Sequence, residues 1–155
     1  LIYIKKDKFM RHILFAFLGA LSVFLTTPAL ADGHKKLVTI VTSSNAQTQL
    51  MAMVLTMQAV KQGANAHILL CGEAGDMALK DAPKTATAPQ KPKNMSPQKL
   101  MKMIMTKTKT AVEVCAIYLP NKGVDASALI DGVTAANPKK MGSRLIEENV
   151  RILSF

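Results

Sequence analysis

Apolar positions change period repeatedly along residues 32–155, and each change marks an element. Leu37-Val38-Thr39-Ile40-Val41 is an unbroken β-branched run, the pattern of a strand buried on both faces of a parallel sheet. Thr42-Ser43-Ser44-Asn45 ends it, and Ser44 with Gln47 three residues on fits a capping box. The helix this opens is expected to reach about Gln62, with Leu50, Met53, Val54, Met57 and Val60 on its apolar face and Gly63 as its stop. His67-Ile68-Leu69-Leu70-Cys71 returns to strand character, with Gly72 and Gly75 in the turn beyond.

A short helix is expected around Asp76 to Lys80. From Asp81 to Pro97 the chain becomes rich in Pro, Lys, Ala and Thr, which predicts an exposed, partly extended loop. Ser96-Pro97 places an N-cap before a proline at the first helical position, and a helix should run to about Thr108. Ala111 to Ala116 reads as a third strand, Asp125 to Leu129 as a short helix and Gly132 to Thr134 as a short strand. Pro138 to Glu147 reads as a last helix and Val150 to Ser154 as a last strand. Strands alternating with helices predict an α/β three-layer sandwich around a mainly parallel sheet of about five strands.

Residues 1–31 follow a different rule. Lys5, Lys6, Lys8 and Arg11 precede an uncharged apolar run from Ile13 to Leu25, and Pro28-Ala29-Leu30-Ala31 follows. A basic segment, a short apolar segment and a small-x-small site are the three parts of a secretory signal peptide, whose start can also be placed at Met10. The apolar run is shorter than the ~20 residues that span a bilayer core. Export to the periplasm is therefore expected, with cleavage after Ala31 and a single domain over 32–155. No cysteine follows the site, so a membrane anchor is not expected after processing.

Charge narrows the partners. The chain carries 20 Lys+Arg against 10 Asp+Glu, and removing Lys5, Lys6, Lys8, Arg11 and Asp7 with the leader leaves 16 against 9. The remaining lysines are scattered, at Lys35-Lys36, Lys80 to Lys93, Lys99 to Lys109 and Lys139-Lys140. Beyond the leader the aromatics are Tyr118 and Phe155, too few for base stacking. A solvated basic surface is the reading, and nucleic acid is not an expected partner.

Sites in open parallel sheets lie beyond the carboxyl ends of the strands. Cys71 closes the second strand and Cys115 the third. The segment Ala111-Val112-Glu113-Val114-Cys115-Ala116-Ile117-Tyr118-Leu119-Pro120-Asn121-Lys122-Gly123 resembles that of DsrE/DsrF-like proteins, in which a strand ends in a reactive cysteine before a Lys-Gly loop. Leu37 to Thr42, Leu69 to Asp76 and Asn149 to Phe155 are similar to other strands of that family. The resemblance implies a flavodoxin-like (DsrE-like) fold, a homo-oligomer, and a sulfur carrier in which Cys115 is the catalytic residue and holds sulfur as a persulfide. A sulfur donor or acceptor protein would then be a partner. Relatives often place a second cysteine three residues on, where this chain has Tyr118, so a C-x-x-C dithiol is excluded here.

An unperturbed cysteine has a pKa of about 8.5, and Lys122 is a candidate to lower that of Cys115. Cys71 is the candidate second thiol. If the second and third strands flank the first, their ends stand ~9.5 Å apart, beyond the ~4.4–6.8 Å between the Cα atoms of a disulfide. A Cys71–Cys115 bridge would then require the loops to bend together.

Other chemistries leave fainter traces. The first strand–helix turn has neither G-x-G-x-x-G nor a Walker lysine. Ser43, Ser44 and Asn45 with free amides could at most line a small anion site. No Ser/His/Asp set can be assembled, and His67 at a strand start reads as structural. Met95, Met101, Met103 and Met105 are soft ligands suited to Cu(I), but 101, 103 and 105 do not share a helical face and read as core filler. Cleavage after Ala31 would expose the Asp32 amine followed by Gly33 and His34, a planar nitrogen set suited to Cu(II). No other cofactor is expected. The competing reading is a non-catalytic binding or assembly protein with inert cysteines.

Overall fold

A computed structural model describes residues 35–155, which form a five-stranded, wholly parallel sheet with helices on both faces. The expected leader, its cleavage site and the Asp32–His34 copper site lie outside the described residues. The strands are β1 (Lys36–Val41), β2 (Asn65–Leu70), β3 (Ala111–Val114), β4 (Val133–Ala135) and β5 (Val150–Ser154). Their order is β4-β3-β2-β1-β5. The α/β class and the strand count agree with the sequence pattern, but β2 lies between β1 and β3. The arrangement with both flanking β1 is corrected, because Leu37↔Ala66 and Ile68↔Val112 pair in register.

Helix α1 (Ala46–Lys61) starts one residue later than the capping box suggests. Asn45 is the cap, and its side-chain oxygen accepts from the Gln47 and Thr48 amides. Its Oδ1 serves both donors, and Ser44 is left exposed. The turn after β2 is a 3₁₀ segment from Gly72 to Ala78, earlier than the helix expected at 76–80. The Pro/Lys stretch is exposed over most of its length, as its composition implies, but it is not wholly extended. It contains the one-turn helix α2 (Lys84–Thr87), whose Ala86 is fully buried. Small alanines between the prolines let that turn approach the core.

Helix α3 (Pro97–Thr108) starts as expected, with Ser96 accepting from the Lys99 amide and Pro97 in the first turn. The Lys-Gly segment after β3 holds a further short helix, α4 (Tyr118–Lys122), closed by Gly123 at φ 74°. Helix α5 (Pro138–Leu145) is capped by Asn137 and returns the chain to β5.

The two sheet faces are covered unequally. Side chains alternate along each strand, and paired parallel residues point the same way. On one face Val41, Ile68, Leu70, Val112, Val114 and Val133 pack against Met53 and Met57 of α1 and Met101 and Ile104 of α3. Met101 is fully buried, and Met95, Met103 and Met105 pack against the same cluster, so these methionines fill core. Thr39 is fully buried here; its hydroxyl lies 2.7 Å from that of Thr56, which itself donates to the Ala52 carbonyl. On the other face Leu69, Ala136 and Met141 form a small cluster joined by Ile40, Leu145, Cys71 and Cys115.

Candidate functional site

Both cysteines lie one residue past their strands, on the thinly covered face. Backbone pairing carries the two strand ends side by side: the Cys71 amide donates to the Val41 carbonyl at 2.9 Å, and the Cys115 amide donates to the Leu70 carbonyl at 2.8 Å. Their Cα atoms are 5.0 Å apart and their sulfur atoms form a disulfide. No loop bends to make this contact. It follows from β2 and β3 being neighbours, since one strand spacing of ~4.8 Å already lies within disulfide range. Both residues are half-buried against Leu69, Ala136 and Met141.

The two loops that carry the cysteines are also joined by side-chain contacts. The Tyr118 hydroxyl donates to Asp76 Oδ1 at 2.7 Å, and Lys122 Nζ approaches the same oxygen at 2.8 Å. Asp76 belongs to the turn after Cys71, while Tyr118 and Lys122 belong to the helix after Cys115. Burial, followed by the bond to Asp76 and its charge, raises the Tyr118 pKa far above the ordinary phenol value. The phenol therefore stays a neutral donor at any physiological pH. A methyl group added at Gly75 would overlap the Tyr118 ring, so the absent side chain is what admits the ring. Gln98 steadies the same turn from α3, donating to the Met77 and Leu79 carbonyls at 3.0 and 2.8 Å.

The candidate residues are thus sorted by position. Cys71, Cys115, Tyr118 and Lys122 converge on one edge, with Lys122 committed to Asp76. Ser43, Ser44 and Asn45 lie in the neighbouring β1–α1 loop. There the Asn45 side chain takes two of the amides an anion would need, and Ser43 Oγ takes the Asn45 amide at 3.1 Å. Buried Gln49 donates to the Ser43 carbonyl at 2.9 Å, while its Oε1 has no partner among the described residues.

His67 lies on the cysteine face, four residues before Cys71, with Nε2 at 2.7 Å from Glu113 Oε2. Burial first, then the Arg144 charge, lowers its pKa; the Glu113 carboxylate acts in the opposite sense without prevailing. The imidazole is consequently neutral near pH 7 and sits in a structural pair, as its strand position suggested.

In the sequence Gly75 reads only as a turn residue, and nothing there marks Asp76 or Gln98 as part of the site. Glycine followed by aspartate reads as a generic turn, and the partner that gives it meaning is more than 40 residues away. Exposed Ile117, 70% accessible, lies between Cys115 and Tyr118 and gives the site an apolar rim. A separate cavity of about 790 Å³ lies between α1, α3 and residues 90–95. Its lining includes Leu50, Met57, Leu100 and Met103, and among the described residues it holds no thiol, imidazole or carboxylate.

Two solved structures are similar over nearly their whole lengths. The ychN protein from E. coli superposes with a TM-score of 0.60 at 18% identity, over 79% of this chain and 99% of its own. A protein of unknown function from Methanobacterium thermoautotrophicum superposes with a TM-score of 0.57 at 9% identity, over 77% of this chain and 98% of its own. At these identities the likeness is one of fold, and the fold is DsrE-like. No family model and no curated protein matches the sequence.

Proposed function

We propose that this protein is an exported member of the DsrE/DsrF-like family that accepts sulfane sulfur as a persulfide on Cys115. The observation that carries the reading is the place of Cys115: half-buried, just past the carboxyl end of a parallel strand, with a second thiol at bonding distance. A DsrE-like fold supports it, as does the resemblance of the segment from Ala111 to Gly123. An oxidising compartment is consistent with a bridge between the two cysteines. Nucleophilic attack on a sulfur donor needs the Cys115 thiolate, so the active form is the reduced one.

The test isolates Cys115 from its neighbour. Reduced Cys71→Ser protein, given glutathione persulfide, should gain about 32 mass units, one sulfur atom. The gain should vanish when Cys115→Ser is added. Loading that survives the double substitution, or no loading of Cys71→Ser at all, would refute a role for Cys115.

The bridge also favours a second reading, in which it is a staple in a non-catalytic binding or assembly protein. The two readings separate on accessibility. A staple should resist a dithiol reductant until the fold is lost, whereas a working pair should be reduced and alkylated in the folded protein.

A further inference from the structure

We infer that Cys71 is a resolving thiol, which converts a persulfide on Cys115 into free sulfide and the Cys71–Cys115 disulfide. The inference rests on Cys115 accepting sulfur, and adds that the sulfur leaves reduced instead of being held for an acceptor.

The geometry supplies the reason. A persulfide has two electrophilic sulfurs, and an adjacent thiolate attacks whichever one lies on its line of approach. Cys71 and Cys115 are one strand apart, with Cα atoms 5.0 Å from each other, the spacing at which their own two sulfur atoms bond directly. The inner sulfur of a Cys115 persulfide is the original Cys115 Sγ. It is therefore the sulfur that Cys71 reaches. No C-x-x-C partner is available along the chain, since Tyr118 occupies that position. The second thiol comes across the sheet instead.

The contacts between the two cysteine loops are separate from the bridge itself. Asp76, Tyr118 and Lys122 tie the Cys71 turn to the Cys115 helix, the Tyr118 ring fills the space left open at Gly75, and β2 pairs with β3. The reduced thiols are thereby kept adjacent. An attack so positioned is effectively unimolecular and outruns a bimolecular encounter with an acceptor.

The steps balance. The Cys115 thiolate attacks the outer sulfur of a persulfide donor R–S–SH; the Cys115–sulfur bond forms, the donor S–S bond breaks, and its electron pair leaves with the thiolate R–S⁻, which takes a proton from water. The Cys71 thiolate then attacks Cys115 Sγ, the Cys71–Cys115 bond forms, and the Cys115–sulfur bond breaks. The electron pair of that bond leaves with the terminal sulfur as HS⁻. The sulfane sulfur is reduced by two electrons while two thiol sulfurs are oxidised to a disulfide. The cycle closes when an external dithiol protein or small dithiol returns two electrons and two protons to the bridge.

The test follows sulfur and mass together, without oxygen, on reduced protein given one equivalent of glutathione persulfide. Wild type should release close to one equivalent of sulfide and lose two hydrogens to the disulfide, with no lasting gain in mass. Cys71→Ser should hold the added sulfur and release at least tenfold less sulfide. Circular dichroism of both proteins establishes that each is folded. Wild type that keeps the added sulfur as Cys71→Ser does, or that forms the disulfide without sulfide, would overturn the resolving role while leaving Cys115 as a carrier. Failure of Cys71→Ser to load would instead remove the carrier reading, and this inference with it.

Discussion

The two faces of the sheet are built by different rules. Under α1 and α3 the strands present Val41, Ile68, Leu70, Val112 and Val114, all essentially inaccessible, against Met53, Met101 and Ile104. Under α5 the same strands present His67, Glu113, Cys71 and Cys115, with Met141 as the one fully covered helix residue. The first face holds the fold by apolar burial, worth roughly 1.5–3 kcal/mol per large side chain. The second combines a small apolar cluster around Leu69, Ala136 and Met141 with an imidazole–carboxylate pair and a disulfide. Reactive groups belong on the second face, because a thiol under the thick layer could not meet a donor.

Removing the principal device from each face should give different outcomes. The bridge closes a loop with a sequence separation of 44 residues, for which chain entropy alone implies about 4 kcal/mol of stabilisation. Reduction should therefore lower the unfolding free energy by up to that amount while leaving the circular dichroism of the folded protein unchanged. Ile104→Ala on the other face should cost about 3 kcal/mol through the cavity it leaves. That loss should be nearly the same with the bridge closed or open, because Ile104 is fully buried within the cluster under α1 and α3, which Cys115 only borders. Denaturant titrations of both proteins in both redox states check this. A strong dependence of the Ile104→Ala loss on redox state would show the faces to be one coupled unit.

The difference between the faces also explains what the sequence made legible. The apolar face declares itself through local pattern: the run at Leu37–Val41, the helical spacing of Met53 and Met57, the Ser96-Pro97 start. Each is a short-range signal that burial requires. The cysteine face depends on strand order, and order is set by contacts between distant segments. An order with β2 and β3 on either side of β1 would separate the thiols, while the actual order joins them, although the strand ends themselves are legible in the local pattern. The same limit hid the Asp76–Tyr118–Lys122 contacts. Tyr118 and Lys122 were marked by the family resemblance, but the carboxylate they share lies in another turn. Helix α1 shows the small end of the scale, since Ser44 and Asn45 are both good caps and only the backbone decides between them.

The joint between the cysteine loops offers a middle-sized test. Gly75→Ala should destabilise the protein by roughly 2 kcal/mol, because the added methyl overlaps the Tyr118 ring and the turn is packed too tightly to yield freely. Tyr118→Ala alone should also destabilise, through the lost ring and the lost bond to Asp76. Combined, the two should cost less than their sum, since the clash disappears with the ring. A double-mutant cycle on thermal unfolding measures the coupling. Additive losses would mean that Gly75 and Tyr118 act separately, and the preorganisation of the reduced thiols would lose its support.

The smallest expected effect belongs to His67, and its sign follows from the balance on the cysteine face. Burial and Arg144 hold the imidazole below its ordinary pKa of 6.5 in the folded state, against the pull of Glu113. The unfolded chain then binds more protons than the folded one in the window just below pH 6.5. Stability must therefore rise with pH through that window and is fully present above it. His67→Gln keeps a donor for Glu113 but cannot titrate. Its melting temperature should fall less than that of wild type as the pH is lowered from about 7 to below 6.5, and the two should have nearly parallel profiles above that. If wild type instead gains stability relative to His67→Gln on acidification, the Glu113 pair outweighs burial. The second face would then be held by an ion pair at low pH, a stronger support than its thin apolar cover implies.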